Sequence, residues 1–310
     1  MPGRDILVVG SINFDLLVYQ TRLPSPGETF LADAIREDFG GKGANQAVQC
    51  ARLGQEVTFI GAVGRDERGR RCLNNLRDQG IECHVAEVDT PTGLGLVHVV
   101  PSGEVYATIT RGANGDVTPE LIKASQTLFD QASFVVLQNE IAPESNDAAL
   151  ECATQAGAQV VYNAAPARPV DRTFTRRCAF LVLNEEEARF FLGKQVDTVE
   201  EVVGAAEELL SACDRVVVTL GAAGSVLITP SGCVAVPAVH VPDVVDTTGA
   251  GDAFVGAFVA ALNEGEDEHA AARMASLVAA LSVSGSGAQT SMPTIQDVRN
   301  GPIRAQTNHP

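Results

Sequence analysis

Asp246-Thr247-Thr248-Gly249-Ala250-Gly251-Asp252-Ala253-Phe254 joins a glycine-rich turn to an apolar helical pattern continued by Val255, Ala257, Phe258, Val259 and Leu262. The first amides of a helix lack intrahelical partners, and small residues beside them leave room for an anion. A carboxylate at the mouth of such a site supplies a second function. Gly249, Ala250 and Gly251 would hold developing negative charge through their amides, while Asp252 takes a proton from an attacking hydroxyl. That is the equipment of a phosphoryl transferase with an alcohol acceptor. The competing reading is an ordinary helix start capped by an aspartate.

Working outward, a second glycine segment, Phe39-Gly40-Gly41-Lys42-Gly43-Ala44-Asn45-Gln46-Ala47, opens another apolar helix. It is not a Walker A loop, because Gly43 follows Lys42 and no Ser or Thr is placed to hold magnesium. Its glycines would let the backbone approach a small polar ligand, with Lys42 and Asn45 donating to hydroxyls. Strand-like runs at 6–9, 57–60, 134–137, 160–162, 180–183 and 216–220 alternate with helical patterns at 66–79, 118–131, 143–156 and 198–212. This alternation predicts an α/β fold, with a mostly parallel central sheet flanked by helices on both faces. Ligands in such sheets bind beyond the carboxyl ends of the strands. The glycine segments, Asn184 and Gly221 are all expected there. Two regions break the alternation. Strand-like residues 16–19 and 29–38, and a hairpin at 93–110 turning at Pro101-Ser102-Gly103-Glu104, read as one small projecting sheet. Residues 301–310 read as a frayed tail.

Taken together, the two glycine segments resemble those of the ribokinase-like (phosphofructokinase-B) carbohydrate kinase family. The likeness runs from Gly10-Ser11-Ile12-Asn13-Phe14-Asp15 to Gly287-Ala288-Gln289-Thr290-Ser291. Asn13-Phe14-Asp15, Leu137-Gln138-Asn139-Glu140 and Arg111-Gly112-Ala113-Asn114 point within it to the kinases that act on ribose. The resemblance implies one α/β domain over 1–310, with lid segments at about 14–39 and 92–111. It implies ATP-dependent phosphorylation of D-ribose at the 5-hydroxyl, with Asp252 as base. Asn13, Asp15, Gly41, Lys42, Asn45 and Glu140 would touch the sugar. Asn184 and Glu187 fall in an NxxE motif tied to magnesium and phosphate placement. Thr219, Gly221, Gly224, Gly251 and Ser276 would line the nucleotide. Asp246, Thr248, Ser282, Gly285, Gly287 and Ser291 would hold potassium beside the anion hole. The lid would also clasp a second copy, giving a homodimer through apolar positions such as Leu17, Tyr19, Leu96 and Val99.

Each assignment has a plainer alternative. Acidic residues after Asn184 suit any helix start, and Asp246 could cap its own turn. Left unpaired, the Asp246 carboxylate would repel an anionic nucleotide and Asp252, a conflict that a bound cation removes. The chain departs from the family pattern in two places. It has Asn163-Ala164-Ala165-Pro166 where Asn-Pro-Ala-Pro is usual, and Ser276 where a histidine lies near the adenine in the resembled enzyme. Acceptor alternatives are deoxyribose, a ketohexose or a nucleoside; a non-catalytic sugar sensor is a further one. A dehydrogenase would need GxGxxG after its first strand, which Gly10-Ser11-Ile12-Asn13 does not supply.

Bulk properties agree with this frame. The 310 residues are 45% hydrophobic, ample for a large buried core. A formal charge of −17 argues against a nucleic-acid surface or an anionic membrane. The seven cysteines form no CxxC pair, and the five histidines have no ligand spacing. A reducing compartment is expected. No secretory signal and no apolar run of membrane length is visible, so the expected location is cytoplasmic.

Overall fold

The computed structural model describes residues 5–100 and 105–301. Among these residues, nine strands form the larger sheet: β1 (Asp5–Val9), β4 (Val57–Gly64), β5 (Glu82–Val88), β8 (Ala132–Leu137), β9 (Gln159–Asn163), β10 (Phe180–Leu183), β11 (Val216–Thr219), β12 (Ser225–Thr229) and β13 (Gly232–Val236). Their order is β13-β12-β11-β10-β9-β8-β1-β4-β5. Every pairing from β11 to β5 is parallel, while β12 and β13 add an antiparallel edge. The central strands are apolar on both faces because helices cover both. In β1, Ile6 and Val8 pack into one core and Leu7 and Val9 into the other, following the two-residue alternation of a strand.

A crevice follows from the strand order. From β1 the chain steps to β4 and β5 on one side; from β8 it steps to β9, β10 and β11 on the other. The loops after β1 and β8 therefore leave in opposite directions. This is the switch point at which open α/β sheets bind ligands. Ser11 and Asn13 follow β1, and Gln138 and Glu140 follow β8.

The smaller sheet has the order β3-β2-β6-β7, with β2 at Asn13–Tyr19, β3 at Ala34–Gly40, β6 at Gly93–Val99 and β7 at Val105–Thr110. The register sets Asp15 opposite Asp38 on one side and Gly95 on the other. Several expectations need correction here. Residues 29–33 are not strand; they belong to an irregular stretch that contains Pro24 and Pro26. Leu17 is buried within the chain, and Tyr19, Leu96 and Val99 are half-buried. The exposed large apolar side chains among the described residues of this sheet are instead Ile35, 62% exposed, Ile109, 50% exposed, and Tyr106, 42% exposed. The turn at 101–104 and the tail from 302 onward lie outside the described residues.

Two expected helices are each broken in two. Pro119–Ala124 gives way to Gln126–Gln131 at Ser125, whose hydroxyl bonds back to the Leu121 carbonyl at 3.0 Å. Val199–Gly204 gives way to Ala206–Leu210 just after a glycine. The Asp246–Asp252 turn does not follow a strand end: β13 stops at Val236, and residues 237–249 are irregular. Among the described residues, no helix is long and apolar enough to cross a membrane.

Candidate active site

Asn13 and Asp15 lie two apart in β2 and so share a face. Asn114 fixes the orientation of Asn13. Its Nδ2 donates to Asn13 Oδ1 at 2.8 Å, while its Oδ1 accepts from the Ile12 amide at 2.8 Å. The Nδ2 group of Asn13 is what remains for a ligand. Asp15 stands between two residues without side chains. A Cβ at Gly40 or Gly95 would collide with its carboxylate. Burial pushes the Asp15 pKa up to about 7, helped by the carboxylates of Glu140, Asp38 and Asp252. Such a group gains from any donor that arrives.

Across the crevice, the Lys42–Arg52 helix starts at Gly41 with no side-chain cap. Its first amide, on Lys42, donates to Glu140 Oε2 at 2.9 Å, and the Ser11 hydroxyl donates to the same oxygen. Gly41 and Gly43 also have a packing role within the chain. A Cβ on either would strike the backbone of residues 10–13, so these glycines let the helix start pack on the β1–β2 corner.

Asp252 lies in the first turn of the Ala250–Asn263 helix and is 7% exposed. Asn45 Nδ2 donates to its Oδ2 at 2.9 Å, and Gln46 Nε2 to its Oδ1 at 3.0 Å. Those two amides are themselves held. Gln289 donates to Asn45 Oδ1 at 3.0 Å, Gln138 to Gln46 Oε1 at 2.8 Å, and Gln46 also reaches Asn163 Oδ1 at 3.1 Å. The carboxylate is thereby fixed in orientation by a buried amide network. Nothing along the sequence marks Gln46, Gln138, Asn163 or Gln289 for a role, and Asn45, expected to donate to a sugar hydroxyl, spends one donor on Asp252.

The helix start itself matches the expected anion site in part. Its N-cap, Gly249, has φ +78 and no side-chain cap, a conformation few other residues adopt. Ala250 N, however, donates to the Thr247 carbonyl at 3.2 Å. That amide is engaged in the turn, which leaves those of Gly251 and Asp252 among the orphan donors of a helix start.

Charge in the crevice is unbalanced. Burial pushes the Lys42 ammonium down, but Asp252, Glu140 and Glu187 outweigh it and hold its pKa above the ordinary lysine value. Burial raises the Glu187 carboxyl, and Asp252 adds to this against the opposing pull of the Asn184 amide and Lys42. Asn184 and Glu187 form a capping box on the Glu185–Leu192 helix: Glu187 N donates to Asn184 Oδ1 at 2.8 Å, and Asn184 N to Glu187 Oε2 at 2.9 Å. Thr219 ends β11, and Gly221 and Gly224 lie in the short turn into β12. Ser276 is 8% exposed on the buried side of the Glu268–Ser282 helix and offers little surface to a base.

The Asp246 carboxylate is not unpaired. Thr248 N and Gly287 N donate to its two oxygens, each at 2.9 Å. Partial burial pushes its pKa up, but the Thr248 hydroxyl, these two amides and the charge of Arg36 together hold it below the ordinary value. Ser291 donates to the carbonyls of Gly287 and Ala288 at 2.6 and 3.0 Å, and the Gly285 amide to that of Ser282 at 3.2 Å. The Ser282 hydroxyl bonds Ala279 O at 2.8 Å within its own helix. The turn at Asn163-Ala164-Ala165-Pro166 is clamped without a second proline. Asn139 Nδ2 donates to the carbonyls of Ala164 and Pro166, at 2.9 and 3.0 Å.

Comparison with known proteins decides the family. The model of the pfkB family carbohydrate kinases matches residues 4–295. The chain belongs to that family. The kinase is 37% identical over 296 residues to the ribokinase of Bacillus subtilis, covering 95% of this chain and 98% of that one. It is also 37% identical over 296 residues to the deoxyribokinase of Salmonella typhi, covering 94% and 96%. The structure of Arabidopsis thaliana ribokinase complexed with ribose and ATP superposes with a TM-score of 0.89 at 31% identity, covering 96% of this chain and 98% of that one.

Proposed function

We propose that this carbohydrate kinase transfers the γ-phosphoryl group of ATP to the 5-hydroxyl of D-ribose. One observation carries the reading. Asp252, oriented by two amides, stands at an uncapped helix start, and its charge is felt both at Asp15 in β2 and at Lys42. In this reading Asp15 accepts from the sugar's vicinal hydroxyls, Asn13 Nδ2 donates to one, and Gly41, Lys42 and Glu140 close the opposite side. Asp252 takes the proton of the 5-hydroxyl as that oxygen attacks phosphorus. The Gly251 and Asp252 amides then face the charge that develops on the transferring group. Deoxyribose offers Asp15 one hydroxyl fewer, which favours ribose. Equal identity to a deoxyribokinase keeps deoxyribose as the second reading.

Nucleotide and metals enter on the other side. Thr219, Gly221 and Gly224 would border the nucleotide. Asp15, Glu140, Glu187 and Asp252 outnumber Lys42 and make a field that an anionic nucleotide meets only with cations in attendance. Magnesium would neutralise phosphate oxygens when bound. The Asn184–Glu187 pair fits a water-clad ion, since each donor it accepts leaves an oxygen lone pair free. Around Asp246 the donors are one carboxylate plus carbonyl and hydroxyl oxygens, hard ligands that suit potassium. The segments 14–39 and 92–111 would act as a lid, and exposed Ile35 and Ile109 support pairing with a second copy. Seven free cysteines support action in a reducing cytoplasm. Asp252→Asn tests the assignment of the base: folding and sugar binding persist while kcat falls at least ~100-fold. Near-normal turnover would remove Asp252 from the chemistry.

A further inference from the structure

The small sheet and the turn before Asp252 come from distant parts of the chain, yet Arg36 joins them, with a longer bond of 3.5 Å from the Thr290 hydroxyl to Asp38 beside it. Arg36, in β3, donates through Nη1 to Ser286 Oγ at 3.1 Å, and through Nη2 to the Ser286 carbonyl at 3.2 Å and to Asp38 Oδ2 at 3.1 Å. Asp38 is buried, and its other oxygen accepts from the Phe39 amide at 2.8 Å, so the guanidinium is held from a fixed anchor. Thr290 adds a bond from its hydroxyl to the Ser286 carbonyl at 2.7 Å. The next residue, Gly287, donates its amide to Asp246 Oδ2, and Asp246 Oδ1 accepts from Thr248, one residue before the helix N-cap.

This path has little slack. Gly287 has φ +88, and a Cβ there would collide with Arg36 and Asp38. A Cβ at Gly249 would sit 3.0 Å from Ala288 Cα, so the 284–291 loop lies pressed between the guanidinium and the turn. At its other end, Asp38 is the register partner of Asp15. We propose that Arg36 is a positioning residue that couples occupancy of the sugar side to the geometry of the phosphate-binding turn. A ligand that orders Asp15 orders the β2–β3 pair; Arg36 passes that order to Ser286 and Gly287, and through Asp246 to the start of the Ala250–Asn263 helix. The fork of a guanidinium serves three acceptors at once, which an ammonium cannot do with the same geometry. The proposal rests on the reading above for what the two ligands are.

Coupling of this kind is reciprocal and has a direct measure. The dissociation constant of the β,γ-imido analogue of ATP, with magnesium, is measured by calorimetry on the full-length kinase with and without saturating pentose. Wild type should show at least about fivefold tightening by the pentose, the lower end of typical couplings. In Arg36→Gln the factor should fall below about twofold, with each ligand's own affinity little changed and kcat reduced more than the pentose KM is raised. Arg36→Lys, which keeps the charge but not the fork, should lie between. Ser286→Ala removes one acceptor and leaves the Arg36–Asp38 pair intact, so it serves if Arg36→Gln melts early; its factor should at least halve. An unchanged factor in either variant, or no coupling in wild type, overturns the proposal. Wild-type turnover of the pentose is measured first and tests the functional reading separately. If deoxyribose is the acceptor, the same titration with deoxyribose still decides the coupling.

Discussion

Asp15→Asn should stabilise the empty protein, by an amount that depends on pH. In the folded chain Asp15 is pushed from 3.8 to about 7, by burial first and then by Glu140, Asp38 and Asp252. A folded pKa above the unfolded one means that the folded state holds the proton more tightly. Stability is therefore unaffected below about pH 4, declines as pH rises toward 7, and is level above that. At about 1.36 kcal/mol for each pH unit, the displacement amounts to roughly 4 kcal/mol at most. Asparagine keeps the shape and can still accept the Gly95 amide, but carries no charge to desolvate. Urea unfolding of both proteins at pH 4.5, 6 and 8 measures the difference. The variant's advantage should grow through that series to a few kcal/mol. An advantage that does not change with pH, or a variant less stable at pH 8, would refute the argument. The same variant should bind ribose at least ~10-fold more weakly while ATP affinity holds, since charge-assisted hydrogen bonds contribute about 1.5–3 kcal/mol each. Stability given up at a ligand-facing charge is a common exchange.

Two further outcomes are expected. Turnover should rise several-fold when potassium replaces tetramethylammonium at constant ionic strength, and Asp246→Ala should abolish that response; equal rates in both salts would leave Asp246 as a turn cap alone. Ile35→Glu, which puts a charge on an exposed apolar position of the small sheet, should convert a micromolar dimer into a monomer by sedimentation velocity. A monomeric wild type would contradict the lid pairing.

The core strands were legible because a parallel sheet covered on both faces must be continuously apolar. Ile6–Val9, Phe134–Leu137 and Val216–Val218 announce themselves in that way. β5 escaped because it is an edge strand whose residues, Glu82 to Val88, are exposed or only half-buried. β12 and β13 escaped because they form a hairpin, which a search for βα alternation passes over. Two glycines carry a second meaning that only the fold reveals. The sequence shows that Gly41 and Gly43 permit close approach, but not that the chain's own backbone is among what approaches. The residues around Asp252 were only half legible. A carboxylate beside a glycine turn is a pattern along the chain, whereas Gln46, Gln138, Asn163 and Gln289 meet across four separate segments. An amide carries no charge and no characteristic spacing to mark it beforehand.

One competition assay addresses both the identity of the acceptor and the bond made. Equimolar D-ribose and 2-deoxy-D-ribose are offered with limiting ATP, magnesium and potassium, and the products are resolved by phosphorus and carbon NMR. Ribose 5-phosphate should be the main product, with phosphorus coupled to C5 and with Asp252→Asn silent under the same conditions. Predominant deoxyribose 5-phosphate, phosphate on another hydroxyl, or no pentose phosphate at all would contradict the proposed function.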